Sequence, residues 1–276
     1  MYKYYSPNNF HFVFDKKTIR YTQPAFFNDP FECSPLINEV VCNELAKSQL
    51  NNSRAKIERE QLKAIPKLQR KEAKNNLKLL RGMNNIEVLE GIDSFNSNYH
   101  EQFQEKLKDL LNKNLGILCL TENDCCELMW VHYAVNHTGF LVEFDVSNSY
   151  FDDRKGDSDS LRFLRKVEYV RNRIEYSLDS LTAESLFLHK SKAWQYEKEF
   201  RITKALCDLN CSPDSDVYTE EFPFNSVKRV IFGVNCDVCL VTKYSKIIQH
   251  EHPNITLQKA VLDKKKFTLN YQNIVN

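Results

Sequence analysis

The sequence predicts an α+β fold, and three observations carry that prediction. Short runs rich in β-branched and aromatic residues crowd both ends of the chain. A long stretch almost free of strand formers interrupts them. The strand-like runs alternate with helical candidates, but without the regular rhythm of a parallel sheet. The chain has 276 residues and is 42% hydrophobic, enough apolar material for a packed core.

Residues 1–40 are aromatic and turn-rich. HFVFD and TIRYTQP read as short elements and FNDPFE as a turn, because Asn-Asp-Pro favours turn initiation. Residues 41–115 carry helix formers at helical spacing, with Pro66 expected to break the run. A second helix, SNYHEQFQEKLKDLLNK, is expected to start after the capping segment GIDS. This region reads as a helical insertion into a core made of 1–40 and 116–276, its lysines and glutamates forming a solvated face.

From residue 116 strand-like runs return: GILCLTE, GFLVEFD, RKVEYV, EKEFRITKAL, KRVIFGV and ITLQKAV. Between them lie the helical candidates CCELMWVHYA, SLTAESLFLHKSKAWQYE and DVCLVTKYSKIIQHE. No internal repeat is visible.

The bulk numbers remove several function classes. Only 6 glycines are present, and neither GxGxxG nor GxxxxGK[ST] occurs, which excludes nucleotide sites built on Gly-rich loops. GxSxG and HExxH are also missing. A net charge of +1 gives no global pull toward nucleic acid or membrane. With no signal segment and no apolar run of spanning length, the chain reads as cytoplasmic, so its 9 cysteines are expected to be reduced. Cys207 with Cys211 and Cys236 with Cys239 could offer four thiolates to zinc; buried free thiols are the plainer reading.

Four clusters place costly polar groups among aromatics. YKYYS contributes Lys3 and Tyr4, and FNDPFE contributes Asn28, Asp29 and Glu32. ELMWVHYAVNHTGF contributes Trp130, His132, Tyr133 and His137. On a helix over 126–135, Trp130 and Tyr133 would share a related face, with Gly139 ending it in a left-handed conformation. Cys125 or Cys126 beside a helix start, with His132 nearby in sequence, is a weak candidate for a nucleophile.

The fourth cluster is KAWQYEKEFRI, Lys192 to Ile202. Read as one strand, it puts Glu197, Glu199 and Arg201 on one face and Tyr196, Lys198, Phe200 and Ile202 on the other. Two carboxylates about 7 Å apart along a strand can divide labour in glycosyl transfer: one stabilises an oxocarbenium-like centre and the other acts as base. The plain alternative is a solvated strand with an exposed Arg201–Glu199 pair.

Taken in order, YKYYS, FNDPFEC, CLTEND…LMWVHYAVNHTGFLVEFD, KAWQYEKEFRI and VKRVIFGV resemble a widespread bacterial and phage family catalogued as domain of unknown function 2971. A second resemblance is to split β-cores of the ADP-ribosyltransferase type, whose late-strand [Glu/Gln]-x-Glu is matched by Glu197-Lys198-Glu199. That resemblance implies a mainly antiparallel split β-core that binds NAD, as substrate, in a cleft between two small sheets. It implies Glu199 on a ribose hydroxyl and Glu197 positioning the acceptor, a protein or a nucleic acid. Tyr133 or His132 would serve as the aromatic element, and Tyr133 or Trp130 would stack on the nicotinamide ring. Lys3 or Arg201 would hold the pyrophosphate, with Tyr4, Asn28 and Asp29 nearby. A toxin or phage-defence effector is the implied setting. Two other readings stand beside it. One is a nuclease-like effector holding Mg²⁺ on Asp29, Glu32 and Glu197 or Glu199. The other is a non-catalytic module that binds a ligand or partner through its aromatic clusters.

Overall fold

The computed structural model describes all residues except 41, 42, 65, 213, 214, 275 and 276. Side chains at 43–47, 50, 53, 54, 57, 61, 64, 68 and 76–89 are likewise outside the description. In chain order the first strands are Tyr2–Tyr5 (β1), Thr18–Tyr21 (β2), Leu36–Glu39 (β3), Leu115–Thr121 (β4) and Phe140–Phe144 (β5). Arg165–Lys166 (β6), Glu168–Val170 (β7), Glu175–Ser177 (β8), His189–Ser191 (β9) and Glu199–Ala205 (β10) follow. The last are Asn210–Cys211 (β11), Tyr218–Glu221 (β12), Val227–Phe232 (β13), Thr256–Leu262 (β14) and Leu269–Asn273 (β15). The α-helices are Asn43–Ala64 (α1), Arg70–Asn114 (α2), Glu127–His132 (α3), Ala183–Phe187 (α4) and Val238–Glu251 (α5).

The α+β class is thus observed. The chain divides into two compact units. The first comprises Met1–Cys33, Asp109–Asn172 and Ala183–Asn276, and the second Ser34–Lys108 with Arg173–Thr182. The second unit holds α1, most of α2 and the parallel pair β3–β8. The expected break at Pro66 occurs: α1 stops at Ala64, and Pro66 precedes a 3₁₀ turn at Lys67–Gln69. The expected cap at GIDS does not occur, since α2 runs through it to Asn114. A capping sequence ends a helix only where the chain also turns, and 91–94 carries no proline to force it.

In the first unit one eight-stranded sheet runs β15-β14-β13-β5-β1-β4-β10-β6, rather than two small sheets. A three-stranded sheet, β11-β12-β2, stands beside it. Every neighbouring pair of the large sheet is antiparallel except β13–β14, which α5 connects as a crossover. Asp237 caps α5, accepting from Cys239 N at 2.7 Å and Leu240 N at 3.2 Å. Cys236 at this helix start is buried, while Cys207, Cys211 and Cys239 are exposed.

Period-two alternation divides the sheet into two apolar faces. Phe140, Val142 and Phe144 of β5 and Val230 and Phe232 of β13 join Phe10, Phe14, Tyr244 and Ile248 in the larger core. The side chains between them, Leu141 and Ile231, face a smaller cluster with Tyr4, Met129, Trp130 and Ala134. On β10 the same alternation sends Ile202 into the larger core, so Glu199 and Arg201 face the opposite side.

Helix α3 is shorter than the expected 126–135 run. It ends at His132 with Tyr133 as its cap, and beyond Ala134 come three consecutive non-glycine residues with positive φ: Val135 (47°), Asn136 (53°) and His137 (65°). No described glycine has positive φ, so Gly139 is not the left-handed stop. Its role is close approach. A Cβ there would lie 1.9 Å from the carbonyl oxygen of Tyr5. Gly139→Ala is therefore expected to push β5 from β1 and destabilise the protein by at least about 2 kcal/mol in urea denaturation. A wild-type midpoint in that variant would show that the strands have slack the structure lacks.

Candidate functional site

KAWQYEKEFRI is not one strand. Lys192–Glu197 form a 3₁₀ helix capped by Ser191, and β10 begins only at Glu199. Between them Lys198 adopts a left-handed conformation, φ 45° and ψ 52°. The preceding helical candidate is likewise broken into α4, β9 and this 3₁₀ turn. Proline-free local sequence favours helix there, but pairing of β9 with β7 and of β10 with β4 overrides it. The left-handed Lys198 reverses the chain, so Glu197 and Glu199 still converge.

They converge on Lys190, a residue that sequence reading placed inside a helix and passed over. Its Nζ donates to Glu197 Oε2 at 2.5 Å and Glu199 Oε2 at 2.9 Å, and lies 3.0 Å from Glu32 Oε1. Arg201 closes the cluster from behind. Its Nε donates to Glu199 Oε1 at 2.8 Å and its Nη2 to Glu199 Oε2 at 3.0 Å. The same Nη2 pairs with Glu32, and Nη1 donates to Phe187 O at 2.7 Å. Three carboxylates and two cations thus sit together, each no more than 5% exposed. The Arg201–Glu199 pair is real, but it is buried rather than solvated.

Backbone groups hold the cluster in register. Glu199 pairs across the sheet with Thr121, and Arg201 with Cys119. The Thr121 hydroxyl donates to the carbonyl of Glu197, and Glu199 N donates to Tyr169 Oη at 2.9 Å. Asp29 Oδ1 accepts from Phe31 N at 2.9 Å and its carbonyl from Glu32 N at 3.1 Å; the turn at FNDPFE therefore delivers Glu32 inward. Tyr133 Oη donates to Glu197 Oε1 at 2.5 Å.

A cavity of ≈ 340 Å³ opens onto this cluster. Of the residues singled out from sequence, Lys3, Tyr4, Asn28, Glu32, His132, Tyr133, Glu197 and Glu199 line it. Asp29, Trp130 and Arg201 do not. Asp29 is committed to its turn, and Arg201 lies behind the carboxylates. Trp130 has no exposed surface, sits edge-on to Tyr4 at 5.2 Å and parallel to His137 at 5.9 Å, and is core. His132 is at the exposed rim, 6.2 Å from the Trp194 ring. Arg20, Thr121, Cys119 and Lys190 also line the cavity and were missed, and so does Phe26, beside the FNDPFE cluster. Arg20 stands between Ile19 and Tyr21, a pattern that reads as an ordinary solvated strand face.

Burial and charge set the protonation of the two acids apart. Burial pushes Glu197 up, and Lys190 only partly opposes this. Burial also pulls Glu199 up, but Arg201 and Lys190 outweigh it and hold that carboxyl at about 2. Lys190 loses basicity to burial and regains more from Glu199, Glu32 and Glu197, so it stays charged. Two acids with divergent titration suit different roles. The folded Glu199 binds its proton more weakly than the unfolded one. Its stabilisation is present above the ordinary carboxylate range and lost as pH falls from about 4.5 toward 2. Urea midpoints are expected to drop across that window and to drop less in Glu199→Gln. Equal slopes in both proteins would show that Glu199 is not so held.

Among the described residues no group of three His, Cys, Asp or Glu side chains is arranged to hold a metal ion. Lys190 and Arg201 engage Glu32 Oε1, Glu197 Oε2 and both oxygens of Glu199, and Tyr133 donates to Glu197 Oε1. No helix of the described residues is long and apolar enough to cross a membrane.

Fold and site together define an α+β protein whose antiparallel sheet carries a buried charge cluster at the floor of an open cavity. Residues 129–202 match the family described as Protein of unknown function (DUF2971), which bears out that family resemblance. The matched segment runs from α3 to the Arg201 pair and contains Tyr133, Lys190, Glu197 and Glu199. Comparison with curated proteins and with solved structures finds no match.

Proposed function

We propose that the cavity is the active site of an NAD-consuming glycosyl-transfer enzyme, releasing nicotinamide and passing ADP-ribose to water or to a macromolecular acceptor. The observation that carries the reading is the pair Glu197 and Glu199: two buried carboxylates on one cavity wall, pushed in opposite directions. Glycosyl transfer needs one acid that stays ionised beside the developing C1′ cation and one that can accept a proton. Glu199 fits the first role and Glu197 the second.

In the step, the C1′–N bond breaks and its electron pair leaves with neutral nicotinamide. The ribosyl cation faces ionised Glu199. Water or an acceptor hydroxyl attacks C1′, and its proton passes to Glu197, oriented by Tyr133 and Lys190. The exposed His132 and Phe26 and the half-buried Tyr133 offer ring faces at the mouth for the nicotinamide or adenine ring. The shortage of glycine agrees with a cofactor site that uses side chains rather than a phosphate-binding loop. On this reading the protein would act as a toxin or phage-defence effector in the cytoplasm, with a protein or nucleic acid as acceptor.

The test is incubation of purified protein with NAD, followed by chromatography for nicotinamide, with and without cell lysate as acceptor. Release is expected. No release under either condition, from protein with a cooperative melt, would overturn the enzyme reading in favour of a module that only binds.

A further inference from the structure

We infer that Arg20 and Lys3 form a second subsite in the same cavity, one that holds the phosphates of a nucleoside diphosphate. The inference rests on the nucleotide part of the reading above, though not on its chemistry. β1 and β2 bring the two cations to the cavity wall, with Thr22, Ser6 and Asn28 beside them as polar neighbours. The other buried cations of this unit, Lys190, Arg201 and Lys204, each pair with at least one carboxylate. Arg20 and Lys3 pair with none among the described residues. Arg20 Nε is buried with no hydrogen-bond partner, and its guanidinium lies 5.8 Å from the Phe26 ring. Lys3 Nζ donates to the carbonyl of Cys119 at 3.1 Å and lies 5.8 Å from the Tyr5 ring.

Burial disfavours charge at both groups; at Lys3, Cys119 and Glu199 oppose this and Arg20 adds to it, the balance remaining downward. Two like charges that face one cavity and form no ion pair with its carboxylates are costly, and a bound anion satisfies both. Arg matches the fork of a phosphate bidentately, and Lys adds a point charge. Phe26, 53% exposed, can stack on a base near that anion. A cation end facing an acid end fits a ligand with phosphates at one side and a neutral or cationic group at the other.

The experiment is calorimetric titration of the full-length protein with ADP-ribose and with inorganic pyrophosphate, on wild type, Arg20→Gln, Arg20→Lys and Lys3→Met. Wild type is expected to bind both probes, and Arg20→Gln and Lys3→Met to weaken binding at least about tenfold. Arg20→Lys should fall between, and it serves if Arg20→Gln does not fold. Without ligand, Lys3→Met should melt no lower than wild type, because it removes an unpaired buried charge. Equal affinities across the four proteins, or no binding of either probe to folded wild type, would overturn the subsite. Binding that depends on Arg20, with no nicotinamide release from NAD, would retain the subsite and reject the glycosyl transfer. Nicotinamide release with an unchanged KM in Arg20→Gln would do the reverse.

Discussion

Arg201→Met is expected to destabilise the protein by about 3–5 kcal/mol, read as a lower urea midpoint at neutral pH. Arg201 is 1% exposed and is bound to both oxygens of Glu199, to Glu32 and to the carbonyl of Phe187. Its removal would leave three buried carboxylates on the single ammonium of Lys190. Methionine fills much of the space, so the loss reads charge rather than packing. A surface pair gives the contrast. Arg154 bonds Asp152 at 2.7 Å with both side chains nearly half exposed, and Arg154→Met should leave the urea midpoint close to that of the wild type. If the two variants were equally mild, the cluster would not be buried as described.

A cluster this costly is not an economical way to stabilise a sheet. Apolar side chains of similar volume often serve as well or better. Its position on the cavity floor supplies another reason for it, which the second expected result addresses.

Glu199→Gln is expected to lower nicotinamide release by on the order of 10²–10³-fold while the variant still melts cooperatively. Glutamine keeps the shape and can still accept from Arg201, but it removes the negative charge that would face the ribosyl cation. Some stability will also be lost, because Arg201 and Lys190 then share fewer carboxylates. The activity assay is therefore run well below the variant's own melting temperature. Glu197→Gln separates the roles. It should slow transfer and flatten the pH dependence of the rate on its acidic side, because Glu197 would be the proton acceptor and burial pushes it up. Wild-type release from folded Glu199→Gln would remove that carboxylate from the chemistry.

Much of the fold was readable as pattern. GILCLTE, GFLVEFD, KRVIFGV and ITLQKAV become β4, β5, β13 and β14 because alternation with β-branched and aromatic residues suits a sheet buried on both faces. DVCLVTKYSKIIQHE becomes α5, with its cap at Asp237. The match over 129–202 covers the motifs that had carried the resemblance from α3 to β10. Prediction failed where local signals did not decide the chain's course. GIDS has the residues of a cap, but α2 passes through it. Glu175–Ser177 becomes a strand because it pairs with Leu36–Glu39, more than a hundred residues away.

By itself, the sequence determined the α+β class, the alternating strands, the break at Pro66 and the presence of two acids within three residues. Only the tertiary structure decided that these acids are buried, that Lys190 and Glu32 join them, and that Arg201 stands behind them while Trp130 is core. It also decided that Arg20 and Lys3 face the same cavity and form no ion pair with its carboxylates. The physical reason is that periodicity is local, set by backbone geometry over a few residues. Burial, pairing and pKa depend on groups brought together from residues 3, 20, 32, 133, 190 and 199, whose spacing along the chain carries no record of their distance in space.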